Sequence, residues 1–282
     1  MPRSVGKVDV VHATGGVVPP PGDARLVVTV HDLAFLHRPE HFTKHGVRFM
    51  TRGFELAKQE AAQILVPSQT TADDCVAHGA DVERIAVVPW GADPVAVTDQ
   101  DRARVRAAHG LPDEFVLWLG TAEPRKNLET LVAAVELASA DVPLVLAGPP
   151  GWGVDVDALT SRPHVTHIGE QAEADLSVLF DLATVFALPS LLEGFGMPVL
   201  EAMAQGTAVV TSAGTSTEEI VGPDGITVPP TDVDALASAI TRLLVDEDHR
   251  TAVAAAGRAR AATMTWDHTA ALTEAAYQRA LA

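Results

Sequence analysis

The chain has 282 residues, of which 47% are hydrophobic, enough to bury the core of one large domain or of two ordinary ones. The formal net charge of −17 argues against a nucleic-acid partner, and no apolar run approaches the roughly 18 residues that a membrane-spanning helix needs. Cys75 is the only cysteine, which excludes an intrachain disulfide and a cysteine-rich metal site, so composition predicts a cytoplasmic protein.

Short apolar runs rich in β-branched residues predict ten β-strands. Stretches with helical periodicity separate most of them, for example residues 127–139 and 232–246. This alternation is typical of βαβ units and predicts an α/β fold with parallel sheets. In chain order the predicted strands are 8–13, 25–30, 63–68, 84–89, 115–120, 143–148, 164–169, 184–190, 208–212 and 226–230.

A stretch without a strand pattern divides these elements into two groups. Residues 91–108 end in a charged helix, and we interpret them as the joint between two α/β domains. The alanine-rich stretch that begins at Asp248 is predicted to be helical, with a break near residues 264–268. The predicted organisation is a domain over residues 1–98, a second domain over 99–265 and a terminal helix over 266–282.

Three histidines in the first half have a helical spacing. His37, His41 and His45 are four residues apart, which on one helix would align their imidazoles. Pro39 interrupts that register, and no nearby cysteine completes a site. We therefore expect no metal at these histidines.

A basic stripe follows the histidines. Lys44, Arg48 and Arg52 share one face of a predicted helix in an otherwise acidic protein. A solvated helix face is the simpler interpretation. The alternative is peripheral contact with an anionic membrane surface or with a lipid-pyrophosphate acceptor.

Two cations stand where a predicted strand gives way to a helix. Arg125 and Lys126 follow the strand 115–120, and Asn127 is a plausible N-cap for the next helix. A surface Arg-Lys pair is usually just solvated. At the carboxyl end of a strand, however, two cations could neutralise a diphosphate.

Two acids flank a glycine-containing turn after the predicted strand 184–190. Pro198 fits the first position of a helix and Gly206 fits its C-terminal cap. Glu201, expected near the first turn of that helix, could accept hydrogen bonds from a ribose diol, while Glu193 could reach another part of the same ligand. A plain connecting loop, with Glu201 favoured by the helix dipole, is the alternative. The combination of acids, glycines and proline favours a site.

These motifs together resemble the retaining GT-B glycosyltransferases of the group 1 type, most closely their bacterial mannosyltransferase-like members. The resemblance implies two Rossmann-type parallel-sheet domains that face a cleft, with a terminal helix that crosses back to the first domain. The block from Glu193 to Glu201 is the most specific part. The resemblance rests on residues 31–35, 64–68, 87–93, 120–127, 189–210 and 265–268.

The activity implied by the resemblance is transfer of a sugar, with mannose favoured, from a nucleotide-diphosphate donor to a glycan or lipid-linked acceptor. GDP-mannose is the expected donor and is a substrate, so no cofactor and no metal are expected. The N-terminal domain would face the acceptor and the C-terminal domain would bind the nucleotide-sugar. A nucleotide-sugar-binding module without catalytic activity is the alternative function.

The resemblance also implies roles for single residues. His31, Lys126 and Glu193 are the expected catalytic residues. Lys126 would contact the diphosphate, Glu193 would face the donor sugar, and His31 would reach that sugar from the N-terminal domain. The other expected donor-binding residues are Arg125, Gly194, Phe195, Gly196 and Glu201.

The sequence departs from the family pattern in two places. Thr121 stands where many relatives have an arginine. Arg125 and Lys126 would then be the only cations of this motif that contact the diphosphate. The N-terminal domain has only four predicted strands and looks truncated, which would bare one sheet edge. Three interpretations follow: a start codon further upstream, which we favour, a homodimer across that edge, or a loss of activity.

Two rival features carry less weight. The Asp-x-Asp sequence at residues 155–157 is the metal-binding signature of a different glycosyltransferase fold, but here Asp157 is better interpreted as an N-cap. A Rossmann oxidoreductase is disfavoured, because no G-x-G-x-x-G follows a strand with an acid about 20 residues further on.

Overall fold

The computed structural model describes residues 6–138 and 142–282, which form two compact units. The first unit contains the described residues up to Gly91, the short segment Glu193–Phe195 and the stretch Met264–Ala282. The second unit contains the described residues of Ala92–Leu192 and of Gly196–Thr263. The domain boundaries given above stay predictions.

The first unit is built on a four-stranded parallel sheet. Its strands are β1 (Val10–Ala13), β2 (Arg25–Thr29), β3 (Gln63–Val66) and β4 (Ile85–Val87), arranged in the order β1-β2-β3-β4. All four residues of β3 are buried, as expected for a strand covered on both faces. Within the described part of the chain β1 pairs only with β2, so β1 is an edge strand.

Three helices belong to the first part of this unit: α1 (Ala34–His37), α2 (Lys44–Glu60) and α3 (Gln69–Ala77). The hydroxyl of Ser68 accepts a hydrogen bond from the backbone N–H of Thr71 and so caps α3. The predicted interruption at Pro39 is confirmed, because α1 ends at His37 and a separate 3₁₀ turn follows. His37, His41 and His45 therefore lie on three different elements.

The second unit contains a six-stranded parallel sheet in the order β10-β9-β8-β5-β6-β7. The predicted strands are confirmed in both units: β9 has the predicted bounds, and the other strands are one to three residues shorter. The strands of this sheet are β5 (Val116–Leu119), β6 (Leu144–Ala147), β7 (Val165–His167), β8 (Val185–Leu188), β9 (Ala208–Ser212) and β10 (Ile226–Val228).

In the described residues, eight α-helices accompany this sheet. The predicted helix 127–139 is confirmed over Leu128–Ala138, and its last residue lies outside the described part of the chain. The expected N-cap at Asp157 is wrong: Asp155 accepts the capping hydrogen bond, from the N–H of Ala158 at 3.0 Å. The helices are α4 (Asp99–His109), α5 (Leu128–Ala138), α6 (Val156–Thr160), α7 (Glu173–Leu182), α8 (Met197–Gln205), α9 (Ser216–Val221), α10 (Val233–Val245) and α11 (Glu247–Ala261).

The last helix, α12 (Trp266–Leu281), packs in the first unit. Its residues Ala276 and Ala280 are buried in one apolar cluster with Val27 of β2 and Leu65 of β3. Small side chains at these two positions let the helix lie close to the sheet. None of the helices in the described ranges is long and apolar enough to cross a membrane.

Candidate active site

Glycines end three neighbouring strands of the second sheet. Gly120, Gly148 and Gly169 follow β5, β6 and β7, and all three have positive φ values. A Cβ atom on Gly148 would lie 2.0 Å from the carbonyl oxygen of Gly120, so only glycine fits there. At these three strands the carboxyl edge of the sheet, where such folds bind their ligands, therefore presents backbone that no Cβ covers.

Lys126 lies at this glycine edge. Its side-chain Cε is 3.6 Å from the position that a Cβ on Gly120 would occupy. The residue is only 6% exposed, which is rare for a lysine because burying an ammonium group is costly. The interpretation of Lys126 as one of a solvated surface pair is therefore wrong.

Arg125 is engaged within its own unit. Its Nη2 lies 2.6 Å from Oε1 of the buried Glu123, and its Nη1 donates to the carbonyl oxygen of Leu192 at 3.2 Å. Its carbonyl oxygen accepts from the N–H of Leu191 at 2.7 Å. Arg125 thus holds the loop after β5 against the loop after β8, and Glu123 balances its charge.

Asn127 connects three segments of the second unit. Its side-chain amide donates to the carbonyl oxygens of Pro189, at 3.0 Å, and Pro230, at 2.6 Å. Its Oδ1 accepts from the hydroxyl of Thr130 at 2.8 Å. Its φ of 59° is the only positive value at a non-glycine among the described residues. Asn127 precedes α5 as expected. Its side chain also links the loop after β5 to the loops that follow β8 and β10.

Glu201 is the fifth residue of α8 and lies in the second turn of that helix, not the first. Pro198 is the second residue of α8, and Gly206 ends the helix with a φ of 82°, as its predicted C-cap role requires. Burial raises the pKa of the Glu201 carboxyl, and the nearby Glu173 raises it further. A partly buried carboxylate of this kind is the type of group that a ligand hydroxyl can stabilise.

Gly196 begins α8 in a left-handed conformation, with a φ of 102°. A Cβ there would lie 2.5 Å from Cγ2 of Thr217. The hydroxyl of Thr217 in turn accepts from that of Thr211 at 2.8 Å. The close contact and the positive φ explain this glycine without a ligand, although the N–H groups of the first turn of α8 remain suited to an anion.

Gly194 belongs to the first unit. Its carbonyl oxygen accepts hydrogen bonds from the hydroxyls of Ser68, at 2.7 Å, and Thr71, at 3.1 Å. A Cβ on Gly194 would lie 2.0 Å from the carbonyl oxygen of His31. The close backbone approach that this glycine permits is therefore to His31. Its neighbour Glu193 is 7% exposed.

His31 lies beside the aromatic ring of Trp90, which in turn contacts Phe195 of the same unit. Its Nε2 donates to the carbonyl oxygen of Thr14 at 2.7 Å, which assigns the proton of the neutral ring to Nε2. The Trp90 ring lies 5.3 Å from the His31 ring and 5.2 Å from that of Phe195, which is 4% exposed. Phe195 is thus packed into the protein, and its role in donor binding stays a prediction.

A cavity of about 220 Å³ in the first unit is lined by both His31 and His12. His12 hydrogen-bonds through Nδ1 to the Tyr277 hydroxyl, at 2.7 Å, and through Nε2 to the Thr29 hydroxyl, at 2.8 Å. Burial lowers the pKa of His12, and the proximity of His31 lowers it further. Sequence reasoning missed His12, because a histidine inside an apolar strand gives no local signal.

Family models match most of the chain. The family described as "Glycosyl transferases group 1" matches residues 99–260, and the one described as "Glycosyltransferase Family 4" matches residues 3–96. The two matches fall on the second and the first half of the chain.

Similar proteins include several mannosyltransferases. The chain is 32% identical to O-antigen chain mannosyltransferase B of Escherichia coli, over 90% of this chain and 70% of that protein. It is 32% identical to the serotype-specific mannosyltransferase WbdA of Escherichia coli, over 79% and 28% respectively. It is 34% identical to D-inositol 3-phosphate glycosyltransferase of Mycobacterium avium, over 82% and 58%. The chain thus spans only part of the length of these relatives.

Solved structures share the fold. HepE from Anabaena, crystallised with UDP and glucose, superposes with a TM-score of 0.80 at 21% identity, covering 95% of this chain and 77% of that one. Sucrose-phosphate synthase from Thermosynechococcus elongatus gives a TM-score of 0.75 at 26% identity, covering 91% and 68%.

Proposed function

Since the chain belongs to the group 1 glycosyl transferases and has their GT-B fold, we propose that it moves mannose from GDP-mannose to a glycan or lipid-linked acceptor. The choice of mannose is supported by the relatives that are named mannosyltransferases. The class of donor, a nucleoside-diphosphate sugar, is supported by the UDP and glucose bound to HepE.

The observation that carries this proposal is the buried Lys126 beside the glycines that end β5 and β6. A diphosphate on that edge meets backbone and an ammonium group instead of side chains that would block it. The Lys126 ammonium would stabilise negative charge as it grows on the leaving diphosphate. Arg125, already neutralised by Glu123, would contribute less charge than the sequence alone suggests.

The proposed reaction retains the configuration of the transferred sugar. The acceptor hydroxyl attacks the face that the leaving phosphate departs from, and a phosphate oxygen takes the acceptor proton. Such a step needs neither a protein nucleophile nor a metal ion. In this scheme Glu201 binds the ribose, and Glu193 and His31 contact the donor sugar.

The test is donor binding followed by transfer. We expect calorimetry to show that GDP binds more tightly than UDP, and turnover of GDP-mannose to release GDP. The anomeric proton of the product, followed by NMR, should show retention. Binding without turnover, with or without acceptor, would instead support the nucleotide-sugar-binding module, and absence of binding by both nucleotides would refute both functions.

Lys126→Ala should lower the turnover rate by about 100-fold or more while the fold is kept, because it removes a preorganised charge from the leaving group. The matched control is Lys7→Ala, which removes an exposed lysine. Turnover lowered equally by both variants, or loss of the folded state in Lys126→Ala, would contradict a catalytic role for this lysine.

A further inference from the structure

Three potential metal ligands meet on the first unit. His37 is the last residue of α1, Asp74 lies in α3, and His78 follows α3 directly. Nε2 of His37 lies 2.8 Å from both carboxylate oxygens of Asp74, and Nδ1 of His78 lies 3.1 Å from Oδ1 of Asp74. The two imidazole rings are nearly perpendicular, with centroids 5.3 Å apart.

These separations suit a single small cation. Zinc binds imidazole nitrogen and carboxylate oxygen at about 2.0–2.2 Å in a tetrahedron, which sets neighbouring donor atoms roughly 3.3 Å apart. In this cluster one ligand atom from each residue lies within 4.8 Å of the other two, so modest side-chain movements complete the geometry. An ion seated there would replace the proton that now joins His37 to the Asp74 carboxylate, and it would compete with the hydrogen bond of 2.9 Å that Nδ1 of His78 makes to the backbone carbonyl oxygen of Asp74.

The backbone holds the three ligands in place. Asp74 and His78 are four residues apart along α3 and its end, which puts them on one face. On the other side, Asp32 Oδ1 accepts from the N–H of Ala34 at 3.0 Å and so fixes the start of α1. Phe35, 5% exposed, anchors the same short helix in the core. A site built on such elements loses little entropy on binding.

The cluster is also open to solvent. The side chains of His37, Asp74 and His78 are 40%, 21% and 34% exposed, so an ion can enter and water can fill a fourth position. Two imidazoles and one carboxylate suit zinc, cobalt or nickel. Magnesium and calcium prefer oxygen ligands throughout.

We propose that His37, Asp74 and His78 form a binding site for one divalent transition-metal ion of the zinc type. The ion would join the end of α1 to the end of α3. This ion would take no part in the sugar-transfer reaction, which is proposed to need no metal. The site was missed in the sequence because its ligands come from residues 37 and 74–78, rather than from the evenly spaced His37, His41 and His45.

The test uses the untagged full chain after treatment with a chelator. Co²⁺ should give the visible absorption of a protein-bound ion, and Zn²⁺ should bind by calorimetry at one equivalent and displace the Co²⁺. His37→Ala and, separately, Asp74→Asn should each weaken Zn²⁺ binding at least tenfold. The matched control is His45→Ala, an exposed histidine of α2, which should leave binding unchanged.

Circular dichroism of each variant shows whether it is folded. If Asp74→Asn does not fold, the comparison of wild type with His37→Ala tests the proposal by itself. Absence of binding to the wild-type chain would overturn the proposal and leave a hydrogen-bonded cluster. Equal affinity in wild type and His37→Ala would also overturn it, since the ion would then bind at other residues. Mg²⁺ should not compete, and its competition would contradict a site of the zinc type.

Discussion

At the scale of single residues, the partly buried Glu201 links stability to donor binding. Burial and Glu173 raise its folded-state pKa, so the protonated form is favoured by folding and the charged form is disfavoured. This contribution to stability is present below the ordinary pKa of glutamate and is lost as the pH rises through the raised folded-state value. At neutral pH, therefore, the Glu201 carboxylate destabilises the folded chain.

Glu201→Gln should accordingly raise the melting temperature at pH 7 and give no such gain at a pH below the ordinary glutamate value. The same variant should weaken GDP binding by about 1–3 kcal/mol, because a hydrogen-bonded carboxylate partner is lost. Scanning calorimetry at the two pH values and titration calorimetry with GDP measure the two effects.

The control is Glu114→Gln, which changes an exposed glutamate and should alter neither quantity. A Glu201→Gln protein that binds GDP as tightly as the wild type would show that the ribose contact has been misassigned. A melting temperature that falls at pH 7 would show that Glu201 has a stabilising partner in the folded chain.

The site residues could be predicted from sequence only in part. The positions of Arg125, Lys126 and Glu201 relative to their strands and helix follow from local patterns. Their burial does not: nothing in the sequence separates the 6% exposed Lys126 from the better-exposed Arg125 that pairs with Glu123. That difference depends on contacts with segments distant in the chain.

At the scale of elements, the loop between β8 and α8 contains a glycine, Gly194, that is required by close packing alone. Gly194→Ala should lower the free energy of unfolding by about 1–3 kcal/mol, because the new Cβ would overlap the His31 carbonyl oxygen. The φ of Gly194 is not in the left-handed region, so steric overlap is the only expected cause. Urea denaturation measures the loss.

Gly15→Ala is the matched control. A Cβ on Gly15 would meet nothing within 4 Å, so its effect should stay within about 0.5 kcal/mol. If the two alanine variants are equally stable, the backbone near Gly194 can shift freely, and the close approach to His31 is not a constraint on this loop.

The elements themselves were largely predictable. A strand that is buried on both faces of a sheet is apolar along its whole length, and such a run is easy to recognise in a sequence. All ten strands could therefore be predicted. Capping was harder: Asp155 and Asp157 are chemically equal, and only the helix start at Val156 decides between them. The packing of α12 on β2 and β3 was implied by family resemblance and could not be read from its alanine-rich sequence.

At the scale of the whole molecule, the basic stripe on α2 would attract an anionic membrane surface, whereas the net charge of −17 would repel it. Lys44, Arg48 and Arg52 are all exposed, and the neighbouring Phe49 is 45% exposed. Because charges are screened beyond about 8 Å at physiological salt, the charges near α2 rather than the net charge would decide whether this helix binds a membrane surface. Contact with anionic lipid stays the alternative to a solvated helix face.

Replacing Lys44, Arg48 and Arg52 by glutamine should abolish flotation with vesicles that contain phosphatidylglycerol. Wild-type binding should weaken at high salt and be absent with pure phosphatidylcholine vesicles. Lys58→Gln, which removes a less exposed lysine of the same helix that pairs with Glu55, is the control. If flotation does not depend on lipid charge, or if the triple variant still floats with the vesicles, the stripe is a solvated helix face.

The chain order of the two units bears on how the protein is made. Because α12 and the segment Glu193–Phe195 pack in the first unit, that unit contains both the earliest and the latest described residues. During translation, Ala276 and Ala280 cannot cover Val27 and Leu65 until α12 has emerged from the ribosome. The sheet of the first unit is therefore synthesised before the second unit but completes its packing only after it, so an apolar face of that sheet stays exposed on the nascent chain in the meantime.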